Sequence, residues 1–316
     1  MATLNNTIKD TGVTSNVLTA ENAEFYAKAM IKRLIPNLQF SKYASKPYTN
    51  GIPKNAGDTI SFRRVLPLNL NKTPLIEGVT PEGLNLSVSK ITATVAQYGA
   101  YAVLTDVLDM VGLDPMVVEA SEVLGEQAGQ TTEAIIGDII FAGTTVHRAD
   151  GVATRLLINK TISVADILTA RGMLKKANVK PLVNGDYLAF VSVDVANDIM
   201  QLADWKDANT HIKDGLVTGA IGRLYGIQFV ELSELFVTKY AGLGAGGADV
   251  YASLFMGADY FGIPDIEGSA KPKMMVKSAE SGGTSDPLEQ RSTVGWKNLF
   301  TVKRINEPCA VRVETL

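Results

Sequence analysis

The residues of this chain that could carry a reaction or hold a cofactor are two histidines, one cysteine, a glycine-rich hexapeptide and a short acidic cluster. The hexapeptide GLGAGG puts Gly242, Gly244 and Gly247 at the spacing of a dinucleotide fingerprint. In that fingerprint a pyrophosphate rests on the amino terminus of the helix that comes next. Here the next residues, ADVYASLFM, are patterned like a strand, so the spacing predicts a surface loop ahead of a cofactor site. Neither His147 nor His211 has a second His or Cys at metal-ligand spacing, and each is expected to be a surface or hydrogen-bonded residue. Cys309 stands alone, which excludes a disulfide within the chain and any cysteine-cluster metal site. A Cys–His dyad would need a distant histidine brought to the last strand, and nothing in the spacing supports it. Asp106, Asp109 and Asp114 are not spaced as a calcium loop, and Asp114 is accounted for as a helix cap.

One stretch mixes acids, bases, an amide, hydroxyls and an indole: DPLEQRSTVGWKNLFTVKRI, Asp286 to Ile305. Its parity argues against a catalytic patch. Val294, Trp296, Phe300 and Val302 fall on one parity, and Gly295, Lys297, Thr301 and Lys303 on the other, which is the period of a strand with one buried face. Trp296 is its expected packing anchor, with Glu289 and Arg291 as contact residues. No catalytic, cofactor-binding or metal-binding set emerges from the chain.

The global numbers agree. Over 316 residues, 30 Lys and Arg against 33 Asp and Glu give a formal charge of −3, so no strong field draws the chain onto nucleic acid or an anionic membrane. Hydrophobic residues at 46% and charged ones at 20% are the balance of a folded protein with a sizeable core. The amino terminus lacks the apolar run of a signal peptide, and no run approaches the roughly 18 residues a membrane helix needs. Folding in the cytoplasm is expected.

The elements that would position these residues can be read from periodicity. A polar arm of about twenty residues precedes a short helix carrying Phe25, Ala29, Met30 and Leu34, ended by Pro36. From about Ser41 to Thr105 no helical pattern occurs. Ile60 and Phe62 alternate with polar residues, a turn-rich middle comes next, and then Leu84, Leu86 and Val88 occupy one parity and Ile91, Ala93 and Val95 the other. That slip near Ser89 and Lys90 predicts a bulge or a change of buried face in a long two-stranded ribbon. Such a ribbon is marginal alone and should lean on something else, another subunit being one candidate. Arg63, Arg64 and Lys72, with Lys54, make its outward run basic, and Glu77 and Glu82 make its return acidic, which fits either a solvated ribbon or, more sharply, one whose charges pair with a neighbouring copy.

Asp114 as N-cap and Pro115 at the first turn open a long helix to about Ile140, roughly 40 Å at 1.5 Å per residue. A second helix starts at Ser163 with Asp166 completing a capping box and Ile167, Leu168 and Leu174 inward. YLAFVSV reads as a buried strand, DVANDIMQLADW as one capped helix, and YGIQFVEL and GADVYASLFMG as strands. After Pro264 the pattern is all β, through KPKMMVKS to a last strand in which Val311 and Val313 alternate with Arg312 and Glu314. The whole is an α+β chain.

This order of elements resembles the major capsid proteins of tailed bacteriophages. DPLEQRSTVGWKNLFTVKRINEPCAVRVE is similar to the carboxy-terminal segment of a phage coat-protein family, and IGRLYGIQFVELSEL to a strand and turn of its axial domain. The resemblance implies an N-terminal arm and short helix over 1–45, an extended β-loop over 46–105, and a peripheral domain of spine helix and discontinuous sheet over 106–159 and 261–316. An α/β axial domain would take 160–260. It implies a non-enzymatic subunit, without cofactor or metal, that self-assembles into hexamers and pentamers of an icosahedral head around double-stranded DNA. Portal, scaffolding and decoration proteins would be its other partners, with no membrane. It would be assembled in the host cytoplasm and reside in the capsid shell of the virion. The alternatives are a cellular nanocompartment shell of the encapsulin kind and, from another class, a two-domain nucleotide-binding enzyme using GLGAGG.

Overall fold

A computed structural model describes residues 30, 33, 38–45, 59–66, 68, 70–75, 77, 78, 80, 83–105, 116–183, 185–210, 222–264, 272–277, 288 and 290–316, and of 207–210 only the backbone. The polar arm and most of the first helix lie outside these residues, as do Lys54, Glu82, the cluster Asp106, Asp109 and Asp114, Pro115, His211 and Glu289.

β1 (Thr59–Val65) and β2 (Val88–Thr94) form a two-stranded antiparallel ribbon whose register runs without interruption from Thr59↔Thr94 to Val65↔Val88. The bulge expected at Ser89 and Lys90 is therefore absent: Leu84 and Leu86 precede the strand and are exposed, and Ile60, Phe62 and Ala93 are the buried positions. The change of face comes later, at Val95. In β2 the odd positions Ile91 and Ala93 turn inward, and in β3 (Ala96–Thr105) the even positions Tyr98 to Leu104 do. The cause is a change of sheet. β2 pairs with β1 and β3 with a different partner, and one residue outside both strands resets the parity.

α1 (Met116–Phe141) comes next, then β4 (Val146–Arg148) and α2 (Val164–Lys176). The capping box of α2 is formed by Ser163 and Asp166, and Ile167, Ala170 and Leu174 are buried. Leu168, expected inward, is 41% exposed, because a stripe through 167, 170 and 174 leaves 168 on its flank. β5 (Tyr187–Val191) is buried throughout. The expected single helix over DVANDIMQLADW breaks at Leu202, whose backbone is extended, into α3 (Val193–Gln201) and α4 (Ala203–Thr210). β6 (Arg223–Leu224) joins β7 (Ile227–Glu231) through Tyr225 and Gly226. Both turn residues have positive φ, 52° and 73°, which is the tight hairpin turn that suits strand twist. β8 (Lys239–Tyr240), β9 (Val250–Met256), β10 (Phe261–Gly262), β11 (Lys273–Lys277), β12 (Arg291–Phe300), β13 (Lys303–Arg304) and β14 (Ala310–Thr315) complete the described elements.

Two layers result. In the smaller, α1 covers one face of the sheet β11-β12-β3, enclosing Met30, Leu104, Leu124, Ala128, Val294 and Trp296. Trp296 is 3% exposed and its Nε1 donates to Gln127 Oε1 at 3.3 Å. The strand expected to continue through Val302 stops at Phe300, and β13 pairs instead with β10. In the larger layer the sheet order is β4-β14-β9-β5-β7-β6, with β8 beside β9. β14 lies between β4 and β9, so residues 310–315, grouped from the sequence with 261–316 and the long helix, belong by hydrogen bonding to the sheet of β5, β7 and β9. Alternation misled here because Glu314 is fully buried: its carboxylate accepts from Arg148 Nε at 3.2 Å, Arg155 Nε at 3.1 Å and Arg155 Nη2 at 2.5 Å. Arg312 Nε lies 3.1 Å away as a charge contact without hydrogen-bond alignment.

The last turn of α1 contains no basic residue to satisfy its terminal carbonyls. Other elements do so. Arg304 Nη1 donates to Ile139 O at 2.9 Å, Tyr260 Oη to Ile140 O at 2.6 Å, and Arg312 Nη1 to Phe141 O at 2.5 Å.

Candidate assembly surfaces

The groups that could do chemistry are absorbed by structure. GLGAGG turns through Gly244 N donating to Ala248 O at 2.8 Å, and β9 comes after it, so no helix terminus faces these glycines. His147 Nε2 lies 2.9 Å from Asp166 Oδ1, while Asp166 Oδ2 accepts from Ser163 N and Oγ at the head of α2. Cys309 is buried, its sulfur accepts from Asn306 Nδ2 at 2.7 Å, and burial pushes its thiol up from the ordinary range. A cavity of about 250 Å³ at the root of the ribbon is lined mainly by Ala93, Tyr98, Ile135, Ile139, Phe300 and Val302, with Lys303 as its one charged group. It lacks the converging titratable groups that a reaction needs. Among the described residues no group of three or more His, Cys, Asp or Glu could hold a metal, and no helix is long and apolar enough to cross a membrane.

The surfaces differ. Exposed large apolar side chains concentrate on the ribbon and its outer span: Val65, Leu66, Leu68, Leu70, Leu75, Leu84, Leu86 and Val88. Leu70 is 86% exposed, Leu75 74% and Leu86 69%. The ribbon's own core consists of Ile60, Phe62 and Ala93 with Ile91 and Val95 against them. Scattered exposed leucines need no explanation, but so many on one projecting element mark an interaction surface. Arg63, Lys72 and Glu77 stand exposed on this element, and Arg64 is half-buried. Arg291 is exposed at the start of β12, on the other layer, so it does not join the ribbon residues in one patch.

A second surface went unnoticed in the sequence. The face of β11-β12-β3 turned away from α1 exposes Tyr101 at 72%, Val103 at 49%, Met275 and Leu299. Lys273 and Lys297 sit directly opposite each other across β11 and β12, with Lys277 on the same face. Like charges placed so are mildly destabilising. The alternation of KPKMMVK was the available signal, but which strand it would meet was not readable. Gly295 lies under Tyr101, where an added Cβ would come within 2.8 Å of the Tyr101 Cβ.

A family model described as phage capsid protein matches residues 89–312. The fold is shared with solved capsids at low identity. The cyanophage Pam1 capsid asymmetric unit superposes with a TM-score of 0.66 at 16% identity, covering 100% of this chain and 99% of that one. The capsid of Ralstonia phage GP4 gives 0.63 at 14%, covering 98% and 96%. The virus-like particle from Pyrococcus furiosus gives 0.53 at 9%, covering 92% and 98%. No curated protein sequence matches the chain. With the family model spanning the second strand of the ribbon, both layers and the first half of β14, the chain belongs to the phage capsid protein family and has the α+β fold of tailed-phage major capsid proteins.

Proposed function

We propose that this capsid protein is the subunit of an icosahedral head, that it assembles into hexamers and pentamers, and that the shell encloses double-stranded DNA. The observation that carries the reading is the ribbon: an element with three buried core residues and eight exposed large apolar side chains among its described residues is not self-sufficient. Laid across a neighbouring copy it gains the burial it lacks, and contacts of this head-to-tail kind close into rings. Arg63, Arg64, Lys72, Glu77 and Glu82 are the contact residues proposed to orient that docking, with pairing setting register more than affinity, and Glu289 and Arg291 are proposed contact residues outside the ribbon. Formal charge near −3 suits a wall that holds DNA by confinement without gripping it. Portal, scaffolding and decoration proteins complete the assembly proposed, in the host cytoplasm. A nanocompartment shell enclosing protein cargo shares the fold but is not favoured, since the matching family model is that of phage capsids.

Negative-stain microscopy of the expressed protein, alone and with co-expressed scaffolding protein, tests the reading. Closed shells, tubes or isolated five- and six-fold rings are expected; a subunit that stays monomeric in every condition refutes it.

A further inference from the structure

Four acidic side chains are buried among the described residues, and three of them face a cation or an imidazole. Glu314 has its arginines, Asp186 is 2.6 Å from Arg223 Nε, and Asp166 is 2.9 Å from His147. Glu133, fully buried in α1, has only neutral donors. Its Oε2 accepts from Phe40 N at 2.5 Å, and its Oε1 accepts from Ser41 N at 3.3 Å and from the Ser41 hydroxyl. These donors belong to a strap, residues 38–45, that makes a single 3-10 turn over Ser41–Tyr43 with no side-chain cap of its own. The carboxylate of a helix 92 residues further along supplies that cap.

The strap is fastened at two other points. Phe40 is fully buried, its ring 4.8 Å from that of Phe190, 6.1 Å from Phe236 and 6.2 Å from Phe141, all edge to face. Gly137, one turn beyond Glu133, leaves the space: an added Cβ would lie 3.3 Å from the Phe40 ring. At the other end Ser45 N donates to Phe261 O at 3.1 Å and Ser45 Oγ to the same oxygen at 2.8 Å.

We propose that residues 38–45 form a proton-controlled latch that fastens the chain ahead of the ribbon to the middle of α1, with Glu133 as its trigger. The device rests on charge. A buried carboxylate without a cation is held against a desolvation cost that neutral donors offset only in part. Charged groups on the elements around it, Lys42 on the strap, Asp138 on α1 and Glu234 after β7, are all exposed, and none is paired with it. Gln39, beside the donors, carries a buried side-chain oxygen with no hydrogen-bond partner, an acceptor that a protonated acid in this site could use. Desolvation by burial raises Glu133 above the ordinary carboxylate range, and the hydrogen bonds from Ser41, Phe40 and Gln39 oppose this only partly. The sign is therefore fixed. A proton binds more tightly to the latched state than to the released one, so the latch is tightest in acid and loosens as pH rises through the raised value.

Hydrogen exchange of the full chain, monitored by mass spectrometry between pH 5 and 8 and corrected for intrinsic exchange, reads the latch directly. Protection of 38–45 should fall as pH rises through the raised value, while protection of β5 stays level. Glu133→Gln should remove the slope. A parent protein whose strap protection is constant or rises with pH overturns the proposal without any variant, and so does a slope that persists in Glu133→Gln.

Discussion

Replacing Leu70, Leu75 and Leu86 together by serine separates folding from assembly. At 86%, 74% and 69% exposure these side chains contribute little to the isolated subunit, so each change should alter its stability by no more than about 0.5 kcal/mol. Docking is another matter. Full burial of a leucine is worth about 1.5–3 kcal/mol, and about three-quarters of each side chain remains to be covered. Each is then worth about 1–2 kcal/mol at a contact, about 3–6 for the three, which at 1.4 kcal/mol per tenfold is a weakening of roughly 10²- to 10⁴-fold. These are upper figures, because docking also orders the ribbon. Urea unfolding of the unassembled subunit gives the first quantity, and light scattering against protein concentration, checked by negative stain, gives the second. A variant that assembles at the concentration of the parent refutes the docking role of these leucines. A subunit that loses several kcal/mol refutes it equally, since the leucines would then already be buried within one folded chain.

Trp296→Ala removes a side chain 3% exposed between α1 and β12 and should cost about 3–5 kcal/mol by urea unfolding, with most of it recovered in Trp296→Phe, which keeps the packing and drops the bond to Gln127. Glu314→Gln leaves Arg148, Arg155 and Arg312 without their shared anion and should destabilise the larger layer by about 3–5 kcal/mol; an unchanged midpoint would show that the arginines find other partners.

Features set by neighbours in the chain were legible. The parity of Val294, Trp296 and Phe300 marked β12, the Ser163 and Asp166 pair marked the head of α2, and Ile60 and Phe62 marked the inner face of β1. Features set by distant partners were not. Arg312 and Glu314 alternate with Val311 and Val313 as on a half-wet strand, yet Glu314 is fully buried because Arg148 and Arg155 arrive from more than 150 residues away. The slip between Val88 and Ile91 was real in parity but placed wrongly, since only the pairing partners of β2 and β3 show where one sheet ends. Of the surface residues, charge alone picked out Arg63, Lys72 and Glu77. The apolar positions around them carry more area, and leucines in a turn-rich run are hard to read as a surface before burial is known.

α1 serves two cores at once. Leu124 and Ala128 of its first half lie in the cluster with Trp296, and Ile136, Ile140 and Phe141 of its second half lie in the large cluster with Phe190 and Val311. Glu133 falls between the two sets, at the turn where the strap meets the helix. Of the three capping donors at its carboxy terminus, Arg312 comes from β14 of the larger sheet, Arg304 from β13 and Tyr260 from the segment before β10, and the bond from the Trp296 indole comes from the smaller sheet. α1 is thereby tied to the smaller sheet through Gln127 at its middle and to the large core through its last carbonyls. Close-packed cores shift between discrete arrangements and do not stretch. The strap, held by Glu133, by the Phe40 ring and by the two bonds of Ser45 to Phe261 O, meets α1 where those two cores adjoin.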